Sequence, residues 1–199
     1  MEGLINLFTS FFGVPPEEVI EIPMAVSARR YFRLKERETS IIGTYSPDIK
    51  ETLAFTGFSR FFTSKKLNVP EIYAISKDNH YYLQSDLGDL RLHEMVTNRF
   101  SKELDDTLVK YYKSALDELV KIQVYGGEGI NFDLSVPSAE FDEQSLIWDL
   151  NHFKYYFLKP ILKSLDEQKL EDAFTELTAS VAKIPRDFFM FRDFQTRNI

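Results

Sequence analysis

Asp193 and Asn198 stand five positions apart in the segment Phe191-Arg192-Asp193-Phe194-Gln195-Thr196-Arg197-Asn198-Ile199, and they are the residues of this sequence best suited to chemistry. A carboxylate directly after an arginine, followed at that interval by a side-chain amide, is an arrangement that phosphoryl transfer uses. The Asp accepts the proton of an attacking hydroxyl, and the Asn holds a magnesium ion beside the phosphates. Such transfer asks little covalent work of a protein, so rate comes from positioning and from neutralising charge. The same template wants a second metal-binding carboxylate on a strand downstream of the Asn. The sequence ends one residue after Asn198, and the expectation is therefore of the front portion of a phosphotransferase, cut short within its catalytic lobe. An Asx-turn at a strand end, in which both side chains only satisfy backbone groups, is the other reading of these residues.

A second constellation is Ser27-Ala28-Arg29-Arg30-Tyr31-Phe32-Arg33. It falls between two predicted strands, where a nucleotide-binding sheet places its phosphate-covering loop. Ser27, Arg29, Arg30 and Arg33 are the candidate cofactor contacts there, because guanidinium forks match phosphate oxygens in pairs. A solvated basic turn fits the same residues. The stretch contains no glycine, so a G-x-G-x-x-G loop is absent, and Ile41-Ile42-Gly43-Thr44-Tyr45 offers no lysine on the third strand. Glu51 is a candidate partner for a cation near the phosphates, with Arg33 as the expected mate. Gln84-Ser85-Asp86-Leu87-Gly88-Asp89 is a joint at which backbone groups would hold an adenine ring, and Gln84 and Asp86 belong to that candidate set. An ordinary turn with Gly88 at positive φ is equally compatible. Trp148, Asp149, Asn151 and His152 are candidates for lining a sugar pocket, since rings stack on sugar faces, although an aromatic stripe on a helix more commonly belongs to a core.

The elements that must position these residues change character near residue 85. Before it, Val19–Ile22, Tyr31–Leu34 and Ser40–Tyr45 read as three antiparallel strands. Ser46-Pro47-Asp48, read as N-cap, proline at the first helical position and acid in the first turn, announces a helix running to about Lys65, with Ala54, Phe58 and Phe62 on its apolar face. Glu71–Ile75 and His80–Gln84 then form a hairpin around Lys77-Asp78-Asn79. Leu4, Phe8 and Phe11 predict a docking helix at the N-terminus. After residue 85 the period becomes helical. Leu104, Leu108, Tyr111, Ala115, Leu119 and Ile122 mark one helix, ended by Gly126-Gly127. Leu146, Leu150, Phe153 and Phe157 mark a second, stopped near Pro160. Leu170, Phe174, Leu177 and Val181 mark a third, capped by Asp166. Phe188–Phe191 reads as a buried strand entering the terminal loop. The organisation expected is a nucleotide-binding lobe over 1–85 and a partial helical lobe over 86–199 that ends in the catalytic loop.

Composition narrows the function further. With 199 residues, 44% of them hydrophobic, the chain buries a real core. The net charge of −7 has no basic run to offset it, which disfavours nucleic acid as a partner. There is no cysteine, and the three histidines, His80, His93 and His152, are too widely spaced for a zinc motif. No run of 18 apolar residues suggests a membrane span. A cytoplasmic location and no membrane partner are the resulting expectations; oligomeric state is left open.

The chain resembles the aminoglycoside phosphotransferase / choline kinase-like enzymes, and within them the bacterial amino-sugar (N-acetylmuramate/N-acetylglucosamine) kinases. The residues that carry the likeness are Ser27–Leu34, Val69-Pro70-Glu71-Ile72-Tyr73, Tyr82–Asp89, Trp148-Asp149-Leu150 and the terminal Arg192–Asn198. It implies an α+β, protein-kinase-like fold: an N-terminal five-stranded antiparallel sheet with one helix, then a mostly helical, incomplete C-terminal lobe. ATP and Mg2+ follow as cofactors, with a sugar-like hydroxyl as acceptor, Asp193 as base and Asn198 as metal ligand. Phe191 stands where the family usually has His. A non-catalytic nucleotide-binding or interaction module is the competing function, favoured by the absent strand lysine and glycine loop.

Overall fold

The computed structural model describes residues 1–23, 28–97 and 105–199. Two compact units form, one from Met1–Leu134 together with Phe189–Ile199 and the other from Ser135–Phe188.

The first unit is built on a five-stranded antiparallel sheet. Its strands are β1 (Glu18–Ile22), β2 (Arg30–Glu36), β3 (Thr39–Tyr45), β4 (Ile72–Ile75) and β5 (Tyr81–Ser85), in spatial order β1-β2-β3-β5-β4. Period-two alternation gives each strand two faces. On one face Phe32, Leu34, Ile41 and Leu83 close over helix α1 (Glu2–Phe12), whose Leu4 and Phe8 are fully buried. Gly43 lies in the row Phe32, Gly43, Leu83, and a Cβ there would come within 2.8 Å of both Leu4 and Leu34. A strand glycine here is what lets the helix approach.

The opposite face carries helix α2 (Ile49–Ser64). Its start differs by two residues from expectation. Asp48, not Ser46, is the N-cap, accepting from the N–H groups of Lys50 and Glu51 at 2.8 and 3.3 Å, so Pro47 stays outside the helix. The β4–β5 turn follows its chemistry: Asn79 sits at φ 58°, and the Asp78 carboxylate accepts from Ser76 Oγ and His80 N.

Beyond β5 come a short helix α3 (Leu92–Thr97), which no sequence pattern announced, and α4 (Asp106–Val124), capped by Asp105. Leu108, Ala115 and Ile122 face inward as expected, whereas Tyr111 is about half exposed; Leu104, also expected on this face, lies outside the described residues. Ile122 joins Phe62 and Leu67 in a second core cluster, against which Phe58, Phe61, Phe189 and Phe191 pack.

The second unit is helical. Helix α5 (Glu143–Phe153) runs into a π-helical turn (Lys154–Leu158) and a last turn α6 (Lys159–Ile161) at Pro160. Helix α7 (Glu167–Val181) has Asp166 as its N-cap, as anticipated. The buried Lys154 ammonium binds Glu167 and Glu171 at 2.5 and 2.6 Å and so ties the π-turn to α7. Among the described residues, no helix is long and apolar enough to cross a membrane.

Candidate active site

The terminal loop is assembled inside the first unit. Phe188–Phe191 was expected to be a strand; it forms no ladder, because no neighbouring strand among the described residues offers it partners. The segment still alternates. Phe189 and Phe191 turn toward the second cluster while Phe188 and Met190 face outward. The Phe189 ring lies 5.8 Å from Phe62 and 6.2 Å from Phe132, and its carbonyl accepts from Gln123 Nε2 at 3.3 Å. This apolar anchor determines where the polar tip begins.

Asp193 occupies the left-handed region at φ 55°. Asp tolerates that conformation better than most residues, and such backbone outliers concentrate at functional loops. The backbone carbonyl of Asp193 accepts from Asn198 Nδ2 at 2.9 Å, and a short 3-10 turn over Thr196–Asn198 closes the loop. A carbonyl can only accept, so the Asn198 amide must present its nitrogen to it, leaving Oδ1 as the atom available to a cation. The carbonyl of Ile199 then accepts from Leu92 N–H at 2.7 Å, at the first residue of α3. The tail is thereby held against the helix that follows the Gln84–Asp89 joint.

That joint is secured from the sheet. The Arg33 guanidinium makes four hydrogen bonds, to Asp86 Oδ2 and Oδ1 at 2.6 and 3.1 Å and to Asp89 Oδ2 and Oδ1 at 2.9 and 2.8 Å. Ser40 Oγ and Gly88 N–H also donate to Asp86, at 2.6 and 2.9 Å. Gly88 is at φ 84°, as the turn reading anticipated. Burial raises the Asp86 pKa, but hydrogen bonds from Arg33, Ser40 and Gly88 outweigh it and bring that carboxyl down to about 2. Arg33 also holds the exposed Asp89 carboxyl below its ordinary value.

A carboxyl whose folded pKa lies below its unfolded one stabilises the fold above the unfolded value, and that contribution disappears as pH falls through the folded value. Against an unfolded pKa of about 3.9, Asp86 contributes about 2–3 kcal/mol that is lost between roughly pH 4 and pH 2. Chemical denaturation across this window should show that loss in the natural chain and a flatter profile in Asp86→Asn; matching profiles would contradict the assignment.

The other sequence-predicted contacts separate. Glu51 does not pair with Arg33, whose donors are engaged by the joint; it pairs with Arg29, Nε to Oε2, at 3.0 Å. Arg30 pairs in bidentate fashion with Glu21 of β1 at 2.9 and 3.0 Å and lies over the Phe32 ring, on the α1 side of the sheet. The three arginines therefore do not converge on one turn. Ser27 lies outside the described residues. Gln84 Oε1 is buried with no hydrogen-bond partner in the structure. The Thr44 and Tyr82 hydroxyls meet across β3 and β5 without a well-formed hydrogen bond. Burial, with Tyr31 adding to it, pushes the Tyr82 phenol up to about 12. The face of the sheet toward α2 thus holds buried polar atoms that the strands leave unsatisfied. In the second unit Trp148 is half exposed on α5, and His152 stacks on Tyr156 at 4.4 Å.

Fitness for a metal is partial. Among the described residues no cluster of three or more His, Cys, Asp or Glu is placed to hold an ion, so Asn198 Oδ1 supplies a single hard oxygen.

A five-stranded antiparallel sheet with mostly helical remainder is the kinase-like fold of aminoglycoside phosphotransferases. A thermostable mutant of aminoglycoside phosphotransferase APH(4)-Ia, in its apo form, superposes with a TM-score of 0.55 at 10% identity over 92% of this chain and 61% of that one. The streptomycin-ATP-APH(2")-IIa ternary complex matches at a TM-score of 0.47, 14% identity, 89% of this chain and 59% of that one. In sequence, the chain is 27% identical over 191 residues to N-acetylmuramate/N-acetylglucosamine kinase of Pseudomonas aeruginosa. The match takes in 94% of this chain, which spans about half, 52%, of that relative's length. No family model matches the chain. The likeness to the solved structure is one of fold, and the sequence likeness, at low identity, is to a protein named as a kinase.

Proposed function

We propose that this chain is the nucleotide-binding and catalytic-loop part of an ATP-dependent phosphotransferase that acts on a hydroxyl of a sugar, amino sugar or aminoglycoside-like molecule. The observation that carries the reading is the Asp193–Asn198 loop, closed by its own hydrogen bond and tied through Ile199 to α3, directly after the joint that Arg33 secures. Residues 1–85 act as the nucleotide lobe, with the backbone at Gln84–Asp86 against the adenine. Residues 86–199 carry the catalytic loop. Asp193 takes the proton of the acceptor hydroxyl as its oxygen attacks the γ-phosphorus, and ADP leaves with the bridging oxygen. Asn198 Oδ1 would be one ligand of a bound Mg2+, which would supply neutralisation of phosphate charge. In the kinase template the second metal ligand is a carboxylate downstream of the Asn, and without such a group these 199 residues are expected to be inactive. Reliance on ATP fits a cytoplasmic location.

Acceptor-dependent ATP consumption tests the proposal in a polypeptide that continues through that carboxylate. ADP should form only when an amino sugar or aminoglycoside is present. Nucleotide binding without turnover on any such acceptor would favour the second reading, a pseudokinase, whose supporting observation is a third strand with Ile42 and Thr44 on its α2 face and no lysine.

A further inference from the structure

The kinase template places a lysine on the third strand, paired with a glutamate of the adjoining helix, to hold the α- and β-phosphates. Here the corresponding face of β3 offers Ile42 and Thr44, the latter opposite Tyr82, whose ring lies 5.3 Å from Phe55 of α2. The helix nevertheless presents its glutamate. Glu51, in the first turn of α2, receives Arg29 from the residue preceding β2 at 3.0 Å, and the Arg29 guanidinium lies 5.8 Å from the Phe55 ring centroid. We propose that Arg29 replaces the strand lysine as the cation that grips the α- and β-phosphates of a nucleoside triphosphate, with Glu51 and Phe55 as its positioning residues.

The geometry has three features a phosphate grip requires. Arg29 is mostly buried yet keeps about a fifth of its side chain accessible, so it is held in place without being sealed off. Glu51 takes the Nε–H, which orients the guanidinium plane, and a fixed fork loses little freedom on meeting a phosphate. Phe55 of α2, over which the Arg29 guanidinium lies, packs its ring 5.3 Å from that of the fully buried Tyr82, so the guanidinium is backed by buried aromatic surface, beside which a charge-assisted bond is stronger than in water. The same lysine-free strand that favours a pseudokinase is, on this account, compensated from the neighbouring strand.

The inference rests on the nucleotide-binding reading above, and calorimetric titration of the 199-residue chain with Mg-ATP and separately with adenosine tells the two apart. Arg29→Ala should weaken Mg-ATP by about 10- to 100-fold, the loss of a charged hydrogen-bonding partner, and leave adenosine unchanged. Arg29→Lys should recover part of the loss, and Glu51→Gln should weaken Mg-ATP less than Arg29→Ala does. Equal Mg-ATP affinity in the natural chain and Arg29→Ala, or a parallel fall for adenosine, would overturn the role of Arg29 while the nucleotide reading stood. A natural chain that binds neither ligand would sink the nucleotide reading, and this inference with it.

Discussion

Asp193→Asn lowers phosphoryl transfer to the acceptor by about 10²- to 10⁴-fold, the contribution expected of a general base. The substitution is well matched to the question because Asn, like Asp, tolerates the left-handed backbone at φ 55° that this position adopts. The bond from Asn198 Nδ2 goes to the backbone carbonyl of Asp193, not to its carboxylate, so the loop keeps its closure in the variant. Rate should therefore fall while the unfolding midpoint stays in place. The assay uses the polypeptide in which acceptor-dependent turnover is first established. Undiminished turnover in Asp193→Asn would remove Asp193 from the chemistry, and a matching collapse of stability would reassign it to the fold.

Phe8→Ala destabilises the first unit by about 3–5 kcal/mol, the cost of emptying a fully buried aromatic site. Phe8 closes the sheet face formed by Phe32, Leu34, Ile41 and Leu83 and packs on Phe12 at a ring separation of 4.5 Å. A loss of that size is a large fraction of the roughly 5–15 kcal/mol that holds a domain together. Urea denaturation measures it directly. A change below about 1 kcal/mol, in the range of surface substitutions, would mean that α1 is not docked on the sheet.

The parts of this fold legible in the sequence were those written in local patterns. Alternation in Tyr31–Leu34 and Ser40–Tyr45, the turn at Lys77-Asp78-Asn79 and the Asp166 cap each act within a few residues, and each element formed where expected. Helix α3 escaped notice because six residues give too little periodicity, and the π-turn after Phe153 because nothing in Lys154–Leu158 differs from an α-helical sequence. Phe188–Phe191 shows the reverse case: its apolar alternation is real, yet a strand also needs a partner, and a partner is not a local property.

The candidate site divides along the same line. The spacing of Asp193 and Asn198 was visible, and so was the presence of arginines near residue 30. Which carboxylate each arginine meets was not, since Arg33 reaches across 53 residues to Asp86 and Arg29 across 22 to Glu51. Strand register makes that choice. Odd positions of β2 face α2 and even ones face α1, which sends Arg30 to Glu21 on one side and leaves Arg33 for the joint on the other.

Titration of the isotope-labelled chain with Mn2+-ATP, followed by amide NMR, measures where the triphosphate sits, because the paramagnetic ion broadens only nearby resonances. Progressive loss of the Asp193–Asn198 signals together with those of Gln84–Asp89, while the α1 amides stay sharp, is the result expected. Broadening confined to α1, or absent from the terminal loop at saturating nucleotide, would contradict a catalytic loop that faces the phosphates.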